Sequence, residues 1–373
     1  MFYHLILTDE CNLCCRYCRG NESEAFLPLE EDSGIDLDLP SELAYDLTDL
    51  YSFLERDPSP CITFYGGEPL IRADLIREIM DDAPHVSRFM IQTNGLLLDT
   101  VGQEYLNRME TILVSIDGPE ALTDYYRGSG TYRRIISQVN TLLSEGYQGE
   151  LIARMTVSRK TDIRSAVHHL AFNHECPFSS IHWQIDADFS GNPGIFDFLG
   201  WLEQSYKPGI RCLAGDWVKI MEEEGRVTRW YPFLQTTEDL LTGRTSRLRC
   251  GSGYANYTIM TDGHIGPCPI MTGMRDYYVG HIRTADPCSL PEVGIREPCP
   301  DCEIYGFCGG RCLYASVIRP WSAEQKELIC SAVKALFCDM SDILPRIRTC
   351  IESGRIQMAD FSHTRFNGCE IIP

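Results

Sequence analysis

Residues 11–18 read CNLCCRYC, and this octapeptide constrains the chain more than any other stretch. Cys11, Cys15 and Cys18 are spaced x3 and then x2, directly after the apolar run Phe2 to Leu7. An apolar run that ends in a short cysteine loop reads as a strand presenting three sulfurs to one metal centre. An iron–sulfur cube has four irons and takes four ligands. Three thiolates leave one iron open, which is a place for a substrate rather than a closed structural site. Clustered cysteines in an intracellular chain also read as zinc ligands. Cys14, beside Cys15, offers the competing x2-x3 spacing Cys11, Cys14, Cys18.

Composition narrows the class. A chain of 373 residues has room for two domains, and 44% hydrophobic with 23% charged residues is ordinary for a globular protein. No apolar run approaches the ~20 residues that span a bilayer, and the N-terminus lacks the basic flank and apolar core of a signal peptide. The expectation is a cytoplasmic protein without a membrane partner. Eighteen cysteines in such a chain point to reduced thiols serving metals rather than to a secreted disulfide framework. The net charge of −20 argues against nucleic acid, since phosphate binding needs a basic surface.

Strand signals fall at 1–8, Ile62–Tyr65, Phe89–Thr93, Ile112–Ile116, Leu151–Val157 and Ile181–Ile185. Between them lie helical patterns, with Leu43, Leu47, Leu50 and Leu54 marking 41–55 and Tyr132, Ile135, Ile136, Val139, Leu142 and Leu143 marking 131–145. The acidic stretch 20–39 reads as a surface insertion, and 190–249 as a looser connector with a helical stretch near 213–224. Strand–helix alternation on this scale predicts an α/β fold with a parallel sheet, open or closed into part of a barrel. The polar motifs fall after strands. The cysteine loop follows the first, Gly66-Gly67-Glu68-Pro69 the second, Thr93-Asn94-Gly95 ends the third, and Ser115 with Asp117-Gly118 ends the fourth. C-terminal ends of parallel strands share one face, so these motifs converge. Gly66 and Gly67 are expected to let the backbone approach a ligand, with Glu68 adding a carboxylate; taken alone, the motif also reads as a tight strand–helix turn.

The C-terminal third is cysteine-dense. Cys250, Gly263 and Cys268 precede Cys299, Cys302, Cys308 and Cys312, and Cys330 follows. CPDCEIYGFCGGRC is compact enough to wrap one metal centre and lead into another, its glycine-rich turn offering backbone amides to sulfide. The isolated CxxCx5C piece also reads as a zinc ribbon.

The cysteine spacing, Leu13, Tyr17 and the GGEP motif together resemble the radical S-adenosylmethionine (SAM) superfamily, and the C-terminal array with Gly263 resembles its SPASM auxiliary-cluster domain. The resemblance implies a partial (β/α)6 TIM-like barrel over 1–190, a helical bridge over 191–249, a SPASM domain over 250–335 and a C-terminal helix and tail over 336–373. It implies SAM on the open iron of a cluster held by Cys11, Cys15 and Cys18, with Cys14 a bystander. Reductive cleavage there yields methionine and a 5′-deoxyadenosyl radical that takes hydrogen from a substrate. Gly66, Gly67, Glu68 and Pro69 are then expected to hold the methionine amino group, Ser115 and Arg127 the SAM carboxylate and ribose, and the Tyr17 backbone to lie near adenine. Asn94 and Asp117 join them at neighbouring strand ends. Cys299, Cys302, Cys308 and Cys330 are implied for an outer auxiliary cluster, and Cys250, Cys268 and Cys312 for an inner one, making three [4Fe-4S] clusters in all. The inner cluster's fourth ligand is Cys212 or Cys288, or its fourth iron is open. Cys61, Cys176, Cys338, Cys350 and Cys369 read as small core residues or incidental thiols.

SPASM-bearing members mostly modify peptides, so the expectation is a peptide-modifying maturase with a peptide or protein substrate and an electron donor such as flavodoxin or ferredoxin. Pro269 stands where sulfatase-maturing members carry an aspartate base, which disfavours formylglycine formation. With the first strand beginning at residue 2, leader binding is expected from a separate peptide-recognition protein or from the bridge. The alternative is a radical SAM oxidoreductase acting on a small molecule or cofactor precursor; a reading from another class is a zinc scaffold without catalysis. Asp262, His264 and Tyr254 lie near inner-cluster cysteines in sequence, and no acid or base stands out among them.

Overall fold

The computed structural model describes residues 1–18, 38–187, 194–368 and 372. The expected acidic insertion, except for its last two residues, and Cys369 lie outside the described residues.

In chain order the main elements are β1 (Phe2–Ile6), α1 (Leu47–Leu54), β2 (Cys61–Tyr65), α2 (Ala73–Asp82), β3 (Arg88–Thr93), α3 (Gln103–Leu106), β4 (Met109–Ser115), α4 (Glu120–Arg127), α5 (Thr131–Ser144), β5 (Glu150–Val157), α6 (Ile163–Phe172), β6 (Ser180–Ile185), α7 (Gly194–Trp201), α8 (Lys207–Glu224), β7 (Arg229–Trp230), α9 (Tyr231–Thr242), β8 (Asn256–Ile259), β9 (His264–Gly266), β10 (Gly280–His281), α10 (Tyr305–Cys308), α11 (Leu313–Val317) and α12 (Ala323–Glu352). Each expected strand is present within a few residues. The helix expected over 41–55 starts only at Leu47, capped by Asp46, whose carboxylate accepts the Thr48 N–H at 2.9 Å. Leu43 lies before it because its N–H donates to the Leu7 carbonyl at 3.1 Å, an extended pairing that competes with the helical pattern.

The chain divides into two compact units. The first holds Met1–Ile116, Thr123–Leu151 and Gly251–Gly294. Its strands run in the order β10-β9-β8-β1-β2-β3-β4. β1, β2, β3 and β4 pair in parallel, and β8 pairs in parallel with the other edge of β1. Their C-terminal ends therefore lie along one edge, where the sequence motifs sit. Leu5, Phe64, Ile91, Ile112 and Val114 are fully buried, as parallel strands covered on both faces require. Residues 251–294 were expected inside a separate domain beginning at 250. They belong instead with the first unit, because Phe2 to Leu5 register against Asn256 to Ile259.

The second unit holds Asp117–Leu122, Ile152–Cys250 and Ile295–Pro373, with strands in the order β5-β6-β7. Its 190–249 segment is more regular than the sequence suggests. Ile210, Leu213, Ala214, Trp217, Val218 and Met221 bury one face of α8, a stripe that Pro208, Gly209 and Gly215 obscure in the sequence. α12 starts at Ala323, well before the expected boundary at 336, behind a capping box in which Ser322 and Gln325 exchange backbone and side-chain hydrogen bonds. Cys330 therefore rides on a long helix. Arg249, beside Cys250, is buried: its Nη1 meets Asp239 at 2.8 Å, and its Nε donates to the Phe307 carbonyl at 3.1 Å. No helix among the described residues is long and apolar enough to cross a membrane.

Arg249→Met leaves Asp239, among the described residues, with Arg365 at 3.3 Å as its remaining cationic partner, and removes the guanidinium donor from the Phe307 carbonyl. Removing one partner of a buried pair costs about 3 kcal/mol or more. Scanning calorimetry is expected to show a clearly lower melting temperature.

Candidate functional site

The ladder between β1 and β2 continues past both strands. Leu7 N–H donates to the Tyr65 carbonyl at 3.1 Å, Gly67 N–H to Thr8 at 2.9 Å and Glu68 N–H to Glu10 at 2.8 Å. Residues 66–68 thus form a floor under the start of the cysteine loop. A Cβ on Gly66 would lie 2.2 Å from the Thr8 carbonyl oxygen, and one on Gly67 would lie 2.3 Å from those of Asp9 and Glu10. Gly66 also has φ +144°, a region that side chains disfavour. What approaches these glycines is the backbone at the start of the cysteine loop.

Glu68 is wholly buried. Its carboxylate accepts from Leu70 N–H at 3.0 Å, from the Thr93 hydroxyl at 2.7 Å and from Asn94 N–H at 2.7 Å. Burial pushes its pKa up to about 7 against the pull of those three donors. The carboxylate thereby ties the β2 turn to the end of β3. Pro69, also buried, opens the helical turn that follows.

Asn94 carries the brace onward. Its Nδ2 donates to Asn12 Oδ1 at 2.6 Å and reaches Cys11 Sγ at 4.0 Å, while its Oδ1 accepts Leu96 N–H at 3.0 Å. Leu13 N–H also points at Cys11 Sγ, at 3.5 Å. Burial raises the Cys11 thiol pKa; these two donors oppose it, and the Glu68 and Cys18 charges add to it. Cys18 N–H closes a turn onto the Cys15 carbonyl at 2.9 Å. Cys11 and Cys15 are half-buried, and Cys14 and Cys18 exposed.

α4 clasps the far side of the loop. Arg16 N–H donates to the Tyr126 carbonyl at 2.8 Å, and its Nε to that of Tyr125 at 2.7 Å. Its guanidinium lies 4.4 Å from the Tyr125 ring centroid. The Tyr17 ring sits 5.3 Å from that of Tyr126 and 5.3 Å from the Arg127 guanidinium. Tyr17 is half-buried, so its ring is a lateral brace and not core. Arg127 is itself buried. Ser115 ends β4, half-exposed at the same edge of the sheet as the loop. Asp117 belongs to the second unit, where it is buried and accepts Thr156 N–H at 3.0 Å. Asn12, Arg16, Tyr125 and Tyr126 escaped the sequence reading. The run Tyr125-Tyr126-Arg127 opposite Arg16-Tyr17 is the one signal that points to them.

The second unit carries another group of thiols. Cys299, Cys302, Cys308, Cys312 and Cys330 line one cavity of about 300 Å³, with Arg311 and Trp321 in its wall. Cys299 opens a helical turn, Cys308 closes α10 and Cys312 caps α11. Burial pushes the Cys308 thiol up to about 11; the Gly310 N–H and the Arg311 charge oppose this, and Cys330 and Cys299 add to it. Burial also raises the Cys330 thiol pKa, and Cys299 and Cys302 add to it. Among the described residues no three His, Cys, Asp or Glu side chains converge tightly enough for a single metal ion. The thiols ring a space instead, and a ring of soft sulfur donors around a cavity suits an iron–sulfur cube. Cys250 lies in the second unit, and Cys268, buried after β9, in the first. Cys212 is exposed on α8, near the charges of Arg164 and Arg211. Cys288 is exposed in the first unit, its thiol 3.4 Å from the Arg56 carbonyl.

A sequence model described as the Radical SAM superfamily matches residues 5–172. A probable GTP 3′,8-cyclase of Methanocella arvoryzae is 30% identical over 144 residues, 38% of this chain and 42% of that protein. An AdoMet-dependent heme synthase of Oleidesulfovibrio alaskensis is 29% identical over 156 residues, 40% of this chain and 37% of that protein. The chain thus spans about two fifths of the length of these curated relatives. Among solved structures, anSMEcpe with bound AdoMet and Cp18Cys peptide superposes with TM-score 0.68 at 16% identity, covering 93% of this chain and 99% of that one. SuiB of Streptococcus suis bound to the precursor peptide SuiA superposes with TM-score 0.55 at 17% identity, covering 87% and 74%. These likenesses establish the α/β fold with a parallel sheet typical of a partial barrel.

Gly67→Ala is expected to push residues 9 and 10 off the β2 turn and to lower iron bound per chain at the first site after anaerobic reconstitution, with helix content by circular dichroism unchanged. Glu68 yields a pH signature. An acid with a raised folded pKa binds its proton more tightly when folded, so its contribution to stability falls as pH rises from the free value of 4.5 toward about 7. Wild-type protein is expected to lose melting temperature relative to Glu68→Gln across that window, with the difference level above pH 8.

Proposed function

Residues 5–172 are a radical SAM domain, and from that premise we propose a radical SAM enzyme that modifies a carbon of a peptide or protein substrate. When bound, SAM on a three-cysteine iron–sulfur cluster supplies hydrogen-atom abstraction. Cys11, Cys15 and Cys18 are the thiolates that would hold that cluster, leaving one iron for SAM. Gly66 and Gly67 keep the loop seated, and the Asn94 amide and Leu13 N–H turned toward Cys11 Sγ favour a deprotonated sulfur. Arg16 and Tyr17 fix the loop against α4. That contact brings the Arg127 guanidinium beside the cysteine loop, and with Ser115 it is assigned to the SAM carboxylate and ribose. Gly66 to Pro69 remain assigned to the amino end of SAM, through main-chain groups rather than through the Glu68 carboxylate.

Cys299, Cys302, Cys308 and Cys330 are assigned to an outer auxiliary cluster; the charges they exert on one another and their shared cavity support this set. The inner set, Cys250, Cys268 and Cys312, rests on sequence spacing, and Cys212 and Cys288 stay in play as its fourth ligand. Cys302 is exposed, which suits electron exchange with a flavodoxin- or ferredoxin-type donor.

The observation that carries the peptide reading is the reach of the structural likeness. It extends over 93% of the chain, cysteine-rich region included, to a protein with bound AdoMet and a peptide. The sequence relatives support a second reading, a small-molecule or cofactor-precursor substrate, since they include a GTP cyclase and a heme synthase.

Anaerobic reconstitution, reduction and incubation with SAM are expected to give 5′-deoxyadenosine by liquid chromatography, with about twelve irons per chain. Cys14→Ala is expected to retain this cleavage and Cys15→Ala to abolish it; the reverse result would refute the ligand assignment. Stoichiometric zinc with no 5′-deoxyadenosine would refute the reading as a whole.

A further inference from the structure

Arg311 stands in the turn Cys308-Gly309-Gly310-Arg311-Cys312, and neither ligand set uses it. Gly309, Gly310 and Arg311 all have left-handed backbones, with φ of 68°, 88° and 54°. For the glycines this is free of strain; for an arginine it is not, and side chains held in that region collect at functional positions. The strained backbone places Arg311 in the wall of the cysteine cavity, with its guanidinium 5.7 Å from the Trp321 ring centroid. Its Nε is buried and has no hydrogen-bond partner. Among the described residues no carboxylate pairs with it.

A buried guanidinium N–H without an acceptor is costly, and a half-buried cation without a counter-charge calls for an anion. The other cations lining the cavity are Lys326 and Lys334, and Lys334 lies 3.6 Å from Glu327, in an exposed pair. Arg311 is the lining cation whose orphaned donor is sealed from water. Five thiols line the same cavity, and as cluster ligands they would carry negative charge.

We propose that Arg311 donates its Nε–H to a sulfur of the outer cluster and thereby raises that cluster's reduction potential. The inference rests on the assignment of Cys299, Cys302, Cys308 and Cys330 to that cluster. Reduction adds one electron and no proton, so the reduced cluster is one unit more negative. A fixed cation and an N–H donor stabilise that state more than the oxidised one. Trp321 and the left-handed backbone hold the guanidinium in place. Arg311 is a tuning residue and takes no part in bond cleavage.

The test is an anaerobic redox titration with dithionite as reductant, followed by electron paramagnetic resonance, on full-length wild-type protein, Arg311→Gln and Arg311→Lys. The spectrum of Cys299→Ala identifies the outer cluster's signal by its loss. Arg311→Gln is expected to keep its iron and to lower the ratio of reduced to oxidised outer cluster at fixed potential about tenfold, or ~59 mV for one electron. Arg311→Lys keeps the charge but not the Nε donor, and is expected to shift the potential the same way by less. An iron-loaded Arg311→Gln or Arg311→Lys protein with the wild-type midpoint would overturn the proposal, even if its melting temperature fell. If Arg311→Gln loses iron, the Arg311→Lys midpoint decides. Wild-type protein whose outer cysteines bind no iron would instead refute the cluster assignment, a failure that metal analysis separates from an unshifted potential.

Discussion

The close approach of two backbones, residues 66–68 against 8–10, underlies the first cysteine site. Only glycine at 66 and 67 permits it. Once the strands are that close, the Glu68 carboxylate reaches across to the end of β3, and Asn94 reaches back to Asn12 and Cys11. The loop is thereby held from beneath by main chain, from one flank by an amide side chain and from the other by the aromatic and guanidinium groups of α4. Three cysteines on a wandering loop would take up iron only after the loop had been ordered. Here that entropic cost falls on folding, and the loop backbone is ordered beforehand.

The two thiol groups are built on different principles. The first hangs from strand ends and is exposed at Cys14 and Cys18. The second is set on helices: α10 and the capped helix α12 each contribute a cysteine, and α11 adjoins one. Helices hold side chains on a stiffer frame than a loop does. They also place the Cys308 sulfur in surroundings apolar enough to push its pKa up to about 11.

The strands of the sheet were legible because buried parallel strands are short apolar runs bounded by Gly, Pro and polar residues, and Cys61–Tyr65 and Arg88–Thr93 fit that form. The motifs at their ends were legible for the same reason, since strand direction alone brings them together. β8 was not legible as part of that sheet. Its partner, β1, lies some 250 residues away, and a parallel pairing leaves no local trace. The hydrogen bonds of Glu68 were not legible, because a carboxylate after two glycines looks the same in sequence whether or not it reaches a neighbouring strand, and its three internal donors come together only in the fold. α8 was only half seen, since Pro208 and Gly209 at its start look like a loop, whereas in the fold Gly209 packs so closely on Ile163 that a Cβ there would lie 2.5 Å from its Cγ2.

The pairing of β1 with β8 bears on how the chain is made. On a ribosome, residues 2–6 emerge long before their partner at 256–259, so one edge of β1 stays bare while the intervening chain is synthesised. An uncovered apolar edge is a template for joining other chains. Fragments that stop before residue 259 retain the cysteine loop yet keep that edge open, and would cluster together rather than persist as independent halves.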